Sequence, residues 1–339
     1  MLDGRTALAD RPGSPPQMVD PLRIVFLGTP LFAVPTLRAL LASRHQVCGV
    51  VTQPDRPRGR GQQVSDSPVK ALAVERGLSL LQPGRLRDTA VAATLRTWAP
   101  DLGVVAAYGK LIPEEILSLP RLGMINVHAS LLPKYRGAAP VHRAVIDGER
   151  ETGVTIMRVE QQLDAGAMLA KVARPIGPDD TSDVVEHDLA QLGANLLVDV
   201  VEQMAAGTAQ EELQDFMMCS YAARLTKEEG LIDWSLPAAY IHNRVRGLYP
   251  WPHAYTYLDR ARLILLKTRV EREPADAAPG TIVEISRDAL HVATGHRERI
   301  AIEHIQREGG RPLHTRDFLA GHTVAPGARL GRRDDPEGT

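Results

Sequence analysis

The chain is poor in cysteine: among 339 residues there are only Cys48 and Cys219. With no paired spacing between them, a disulfide framework and a zinc cluster are excluded, buried thiols are expected, and a reducing cytoplasm is the predicted setting. An excess of charge of one sign is also missing, since 40 Lys and Arg face 41 Asp and Glu for a formal net charge of -1. That balance excludes binding of polyanions through bulk charge, while a local basic patch would still release counterions. No apolar run approaches the roughly 18 residues of a bilayer span, so no membrane-spanning helix is expected. The first twenty residues carry Asp3, Asp10, Asp20 and three prolines, unlike a signal or transit peptide. Residues 1–21 are read as a disordered extension, with Met18 as an alternative start. Internal repeats are absent, and the polar tail 331–339 is expected to be disordered.

What is present is an ordinary globular composition, 44% apolar and 24% charged in 37.0 kDa, enough for one large domain and one smaller. From Arg23 the pattern runs strand, turn, helix: Ile24-Val25-Phe26-Leu27, then Gly28-Thr29-Pro30, then Leu37, Leu40 and Leu41 at helical spacing. The turn is not G-x-G-x-x-G, which argues against a dinucleotide cradle. Further apolar runs at 47–52, 102–106, 124–127 and 154–159 alternate with helical stretches. The predicted fold is therefore α/β, a doubly wound, mainly parallel sheet, with ligands outside the carboxyl ends of the strands. Segments 28–32, 53–67, 108–111 and 128–137 should converge on one crevice. A helix is predicted over 182–206, with Val185, Leu189, Leu192, Leu196 and Val200 as its stripe and Gly207 as its end. The first domain then spans 22–207, a polar linker 208–224, and a second domain 225–330. That second domain holds short, regularly spaced runs, including 254–258, 263–267, 281–285 and 290–293, and reads as a small β-barrel of the OB type. It carries 15 basic against 13 acidic side chains, too mild an excess to argue for nucleic acid by itself. Its seven histidines show no ligand spacing and are expected at the surface.

The richest stretch is MINVHASLLPKYRGAAP, residues 124–140. Asn126 and His128, two apart at a strand end, point to one side and converge on one atom. An amide NH2 and a protonated imidazole are both donors, and together they make a site for a developing oxyanion. Asp164, in the turn after the run 154–159, supplies a carboxylate. It either orients His128 and holds it cationic or relays the proton lost by a nucleophile. Asn, His and Asp in this arrangement suit acyl transfer without an enzyme nucleophile. The competing reading makes Asp164 a turn former ahead of Ala165-Gly166 and His128 a structural side chain.

Several segments together resemble the methionyl-tRNA formyltransferase family: FLGTPLFAVPTLRALL, VVTQPDRPRGRGQ, SPVKALA, AAYGKLIP, INVHASLLPKYRGAAP, ETGVTIM with LDAG, and KEEGLIDWS followed by YPWPHAY. The likeness runs from about Leu22 to Leu330. The resemblance implies formyl transfer from 10-formyltetrahydrofolate to the amino group of methionyl initiator tRNA by a monomer, with no metal. It implies Asn126, His128 and Asp164 as the catalytic three, and Ser130, Leu131, Leu132 and Pro133 as the stretch contacting the folate. It also implies that the loop 55–63, bearing Arg56, Arg58 and Arg60 among Pro57, Gly59 and Gly61, enters the acceptor end of the tRNA. Gln62 and Gln63 stand where the family often has lysines, which weakens the loop's electrostatics. Formylation of a small amine, such as a sugar nucleotide or ribonucleotide, is the alternative, but it would leave the loop and the second domain without a task.

Overall fold

The computed structural model describes residues 20–58 and 63–331. The extension 1–21 and the tail 331–339 thus lie almost wholly outside the described residues, although Gly331 pairs with Tyr257. Strands β1 (Arg23–Gly28) and β2 (Gln46–Val51) are followed by a hairpin of β3 (Arg56–Arg58) and β4 (Gln63–Ser65). Then come β5 (Leu80–Leu81), β6 (Leu102–Ala106), β7 (Met124–His128), β8 (Arg136–Gly137), β9 (Glu151–Arg158) and β10 (Met168–Pro175). The main sheet has the order β10-β9-β7-β6-β1-β2-β5. Its β5, β2, β1, β6 and β7 are parallel, and β9 and β10 are antiparallel additions at one edge.

Alternation along β1 explains the layers. Ile24 and Phe26 face a core shared with the helices Ala33–Ala42 and Ser182–Ala206, while Val25 and Leu27 face a second core with the helix Thr89–Trp98. The chain leaves β1 for β2 on one side and returns as β6 on the other, so the loops after β1 and β6 diverge over a crevice. The helix Ser182–Ala206 has the predicted ends, with Gly207 left-handed at φ +69°. Its buried stripe differs from the expected one: Val185, Leu189, Gly193, Leu197 and Val200 face the sheet, and Leu192 and Leu196 are only partly buried. The reason is close approach at Gly193, where a Cβ would lie 2.8 Å from Cγ1 of Val127. Cys48 and Cys219 are half-buried rather than buried, and free.

After β11 (Tyr221–Ala222) come β12 (Ala254–Leu258), β13 (Ala261–Val270), β14 (Ile282–Ile285), β15 (Leu290–Ala293), β16 (Arg299–Arg307) and β17 (Leu313–His314). They form an antiparallel sheet in the order β12-β13-β16-β15-β14, with β17 on β16. Gly331 bridges β12 while Arg329 bridges Thr281 just before β14, so the two edges are drawn together, a shape compatible with a small barrel. His291 is buried, contrary to the expectation of surface histidines, because Glu271 and Ser286 satisfy its two ring nitrogens at 2.7 and 2.9 Å. The helix Ala238–Gly247 joins the two halves: the Gly247 carbonyl accepts from Ser182 at 2.8 Å, and Ile146 shares the second core.

Candidate active site

Asn126 and His128 leave the same face of β7 and line a cavity of about 570 Å³ at the carboxyl end of the sheet. Phe32 after β1, residues 107–112 after β6, and Gly137 of β8 with residues 138–142 after it contribute to its walls. No hydrogen bond within the described residues engages the Asn126 carboxamide, which faces the cavity. Asp164 arrives from the turn after β9 in a left-handed conformation, φ +48°. Gly166 permits that turn, since a Cβ there would lie 2.2 Å from the Arg158 carbonyl oxygen.

Oδ2 of Asp164 accepts the Gly137 N–H at 2.8 Å and lies 3.7 Å from Nδ1 of His128. Nε2 of His128 is 2.9 Å from the Tyr135 carbonyl oxygen. A carbonyl only accepts, so Nε2 bears the proton and Nδ1 is the nitrogen that faces Asp164. Orientation of the ring therefore falls to Tyr135, and the carboxylate, beyond hydrogen-bond distance, acts on Nδ1 through its charge. Tyr135 is itself pinned: its hydroxyl donates to Asp147 at 2.9 Å, and burial together with that carboxylate pushes the phenol well above its usual range.

The structure brings the three expected catalytic side chains to one cavity, but not the other expected contacts. Ser130, Leu131, Leu132 and Pro133 do not line it. Ser130 is buried, its hydroxyl donates to the Lys134 carbonyl, and its own carbonyl accepts from Thr155, which in turn accepts the Leu132 N–H. This turn braces the end of β7. No described residue of 53–67 lines the cavity either, and Gln53 instead donates to the Tyr108 carbonyl at 2.6 Å. Arg56 and Arg58 belong to the β3–β4 hairpin, not to a free loop; Arg60 lies outside the described residues. Asp55, just before β3, is ion-paired with Lys70 and accepts from Gln82.

Of the lining residues, Leu163 and Glu186 escaped the reading of the sequence, while Tyr108 belongs to the segment 108–111 expected at the crevice. Tyr108 is buried with no partner for its hydroxyl among the described residues, and burial pushes it up to about 12. It follows Ala107, at φ +46°, and precedes Gly109, at φ +77°. The strain this tight turn carries is the physical signal hidden in AAYGKLIP. Leu163 precedes Asp164 on the rim. Glu186 reaches the cavity from the long helix, and burial raises its carboxyl above the usual range against the lowering effect of His142. Among the described residues no group of His, Cys, Asp and Glu could hold a metal ion.

The model of the formyl transferase family matches residues 22–201, and that of the formyl transferase C-terminal domain matches residues 224–323. A methionyl-tRNA formyltransferase of Citrifermentans bemidjiense is 46% identical over 313 residues, 92% of this chain and 98% of the relative. One of Methylococcus capsulatus is 46% identical over 310 residues, 91% of this chain and 100% of the relative. Among solved structures, a sugar 3N-formyl transferase in the presence of dTDP and 5-N-formyl-THF matches with a TM-score of 0.64 over 84% of this chain and 97% of that one. At 17% identity it shows the shared fold. With both domain models matched and relatives alike over nearly their full length, the chain belongs to the formyl transferase family, alongside the methionyl-tRNA formyltransferases.

Proposed function

We propose that this chain transfers the formyl group of 10-formyltetrahydrofolate to the α-amino group of methionyl initiator tRNA, giving N-formylmethionyl-tRNA. The observation that carries the reading is the meeting of Asn126, His128 and Asp164 around one cavity in a chain that matches methionyl-tRNA formyltransferases over nearly their full length. The cavity suits a folate: Val105, Leu111, Ile112 and Val159 give apolar walls for a flat ring. Ser130 to Pro133 serve that site by bracing its floor. Arg56, Arg58 and Arg60 serve the tRNA as phosphate contacts that position without reading sequence. The domains divide at 22–207 and 225–330, and the protein acts as a cytoplasmic monomer. Among the described residues no helix is long and apolar enough to cross a membrane.

A neutral His128, its Nε2 proton committed to Tyr135, presents a lone pair at Nδ1. An α-amino group titrates near 7.7 to 8.0, so a free amine is available at neutral pH. As its lone pair bonds to the formyl carbon, Nδ1 accepts the proton it sheds, and the imidazolium so formed lies 3.7 Å from the Asp164 carboxylate. Nδ1–H and the Asn126 NH2 then face the negative charge on the formyl oxygen. When the bond to N10 breaks, the Nδ1 proton passes to N10 and the ring returns to neutral. Incubation with formyl donor and either charged initiator or charged elongator tRNA tests the reading: formylation of the initiator alone is expected. Equal formylation of both, or of a small amine in preference, overturns it.

A further inference from the structure

Residues 208–224, expected to be a polar linker, turn back along the edge of the first sheet and pack behind the site. Glu212 and Met168 exchange two backbone hydrogen bonds of 2.8 Å, and β11 lies parallel to β8. The Ser220 hydroxyl accepts the Tyr135 N–H and its carbonyl accepts the Arg136 N–H, each at 2.9 Å. Gln214 is 4% exposed and fully engaged. Its Oε1 accepts from Nε and Nη2 of Arg136 at 3.1 and 2.7 Å, and its Nε2 donates to the carbonyls of Asp164 and Gly166 at 2.9 and 2.8 Å. Arg136 is fully buried, its guanidinium 4.8 Å from the centre of the Phe216 ring. In sequence it lies between Tyr135, whose carbonyl holds His128, and Gly137, whose N–H holds Asp164.

We propose that Gln214 is a positioning residue for formyl transfer, clamping through one carboxamide both the segment that orients His128 and the turn that presents Asp164. The inference rests on the reaction assigned under Proposed function. The physical need is plain: His128 ends β7 and Asp164 sits in the turn after β9, the carboxylate acts across 3.7 Å without a hydrogen bond to the ring, and the two are tied together through Tyr135 and Gly137. The clamp behind them holds that segment and the Asp164 turn in register. It acts at carbonyls and a guanidinium, leaving both reactive faces free for substrate, and it makes a segment outside the first sheet part of the catalytic geometry.

The test is Gln214→Glu, which keeps the size and the acceptor for Arg136 but turns a carboxylate oxygen toward two carbonyls where two donated hydrogen bonds had been. kcat is expected to fall about 10- to 100-fold with KM for both substrates within about threefold, since misplacement by about 1 Å costs up to about 10² in rate. Amide exchange over residues 160–168 should quicken while unfolding stays cooperative. Ser220→Ala, which removes only the acceptor for Tyr135, should lower kcat about three- to tenfold in the same pattern. Wild-type kcat in a folded Gln214→Glu protein, or a loss confined to KM, overturns the positioning role; should that variant not fold, an unchanged kcat in Ser220→Ala overturns it. An inactive wild type would sink the reaction itself, whereas an active wild type with an indifferent Gln214→Glu sinks only the clamp.

Discussion

Asp164→Asn separates the charge of this side chain from its place in the turn. The side chain is largely buried, its Oδ2 accepting the Gly137 N–H at 2.8 Å and lying 3.7 Å from Nδ1 of His128. An asparagine oxygen at the Oδ2 position keeps the Gly137 bond, and asparagine tolerates the left-handed backbone at φ +48° as well as aspartate does. The fold is therefore expected to survive, with Tm within a few degrees of wild type. What disappears is the attraction between carboxylate and imidazolium. At 3.7 Å and an effective dielectric constant of about 20, Coulomb's law gives about 4.5 kcal/mol as a bound. Charge that exists only once the amine has given up its proton acts on the transition state and not on binding, so the loss falls on kcat. With part of that bound realised, kcat should drop about 10²- to 10³-fold, each factor of ten being about 1.4 kcal/mol. Steady-state formylation of charged initiator tRNA, with both substrates varied in turn, reads this directly. A folded Asp164→Asn protein that keeps more than about a tenth of wild-type kcat would refute the reasoning and return Asp164 to the role of turn former.

Asn126→Ala removes a carboxamide that holds nothing within the described residues, so Tm should stay put while kcat falls about 10²- to 10³-fold, the usual loss for one oxyanion donor; a matching loss of stability would show the residue to be structural. Arg60→Ala should raise KM for charged tRNA and flatten its salt dependence with folate binding untouched; equal damage to folate affinity in an equilibrium titration would contradict a role at the RNA. For Glu186, burial raises the folded-state carboxyl above its unfolded value, so its contribution to stability is present in full at low pH and is lost as pH rises through the folded value. Glu186→Gln should accordingly raise Tm at pH 7, with the gain fading toward pH 4; a gain that is the same at both values in thermal melts would rule out titration of this carboxyl as its source.

The sequence by itself determined the periodic elements and the chemistry of one short block. Runs such as 24–27 and 102–106 are rich in β-branched and other apolar residues and could only be buried strands, and the helix over 182–206 declared both its ends through its spacing and Gly207. Asn126 and His128 were legible together because a strand places residues two apart on one side, a local rule that needs no partner. What tertiary structure decided is everything that depends on atoms distant in the chain. The face of the long helix turned to suit the close approach at Gly193 and not the leucine count. Tyr135 took over the orientation of His128 because its carbonyl, bent inward at φ +61°, reaches Nε2 first. The polar stretch 208–224 looked like a link since its residues form no apolar period, yet its unmet donors and acceptors fit those of Arg136 and the Asp164 turn. Hydrophobic periodicity is written along the chain, whereas hydrogen-bond complementarity between remote segments exists only after folding has set them side by side.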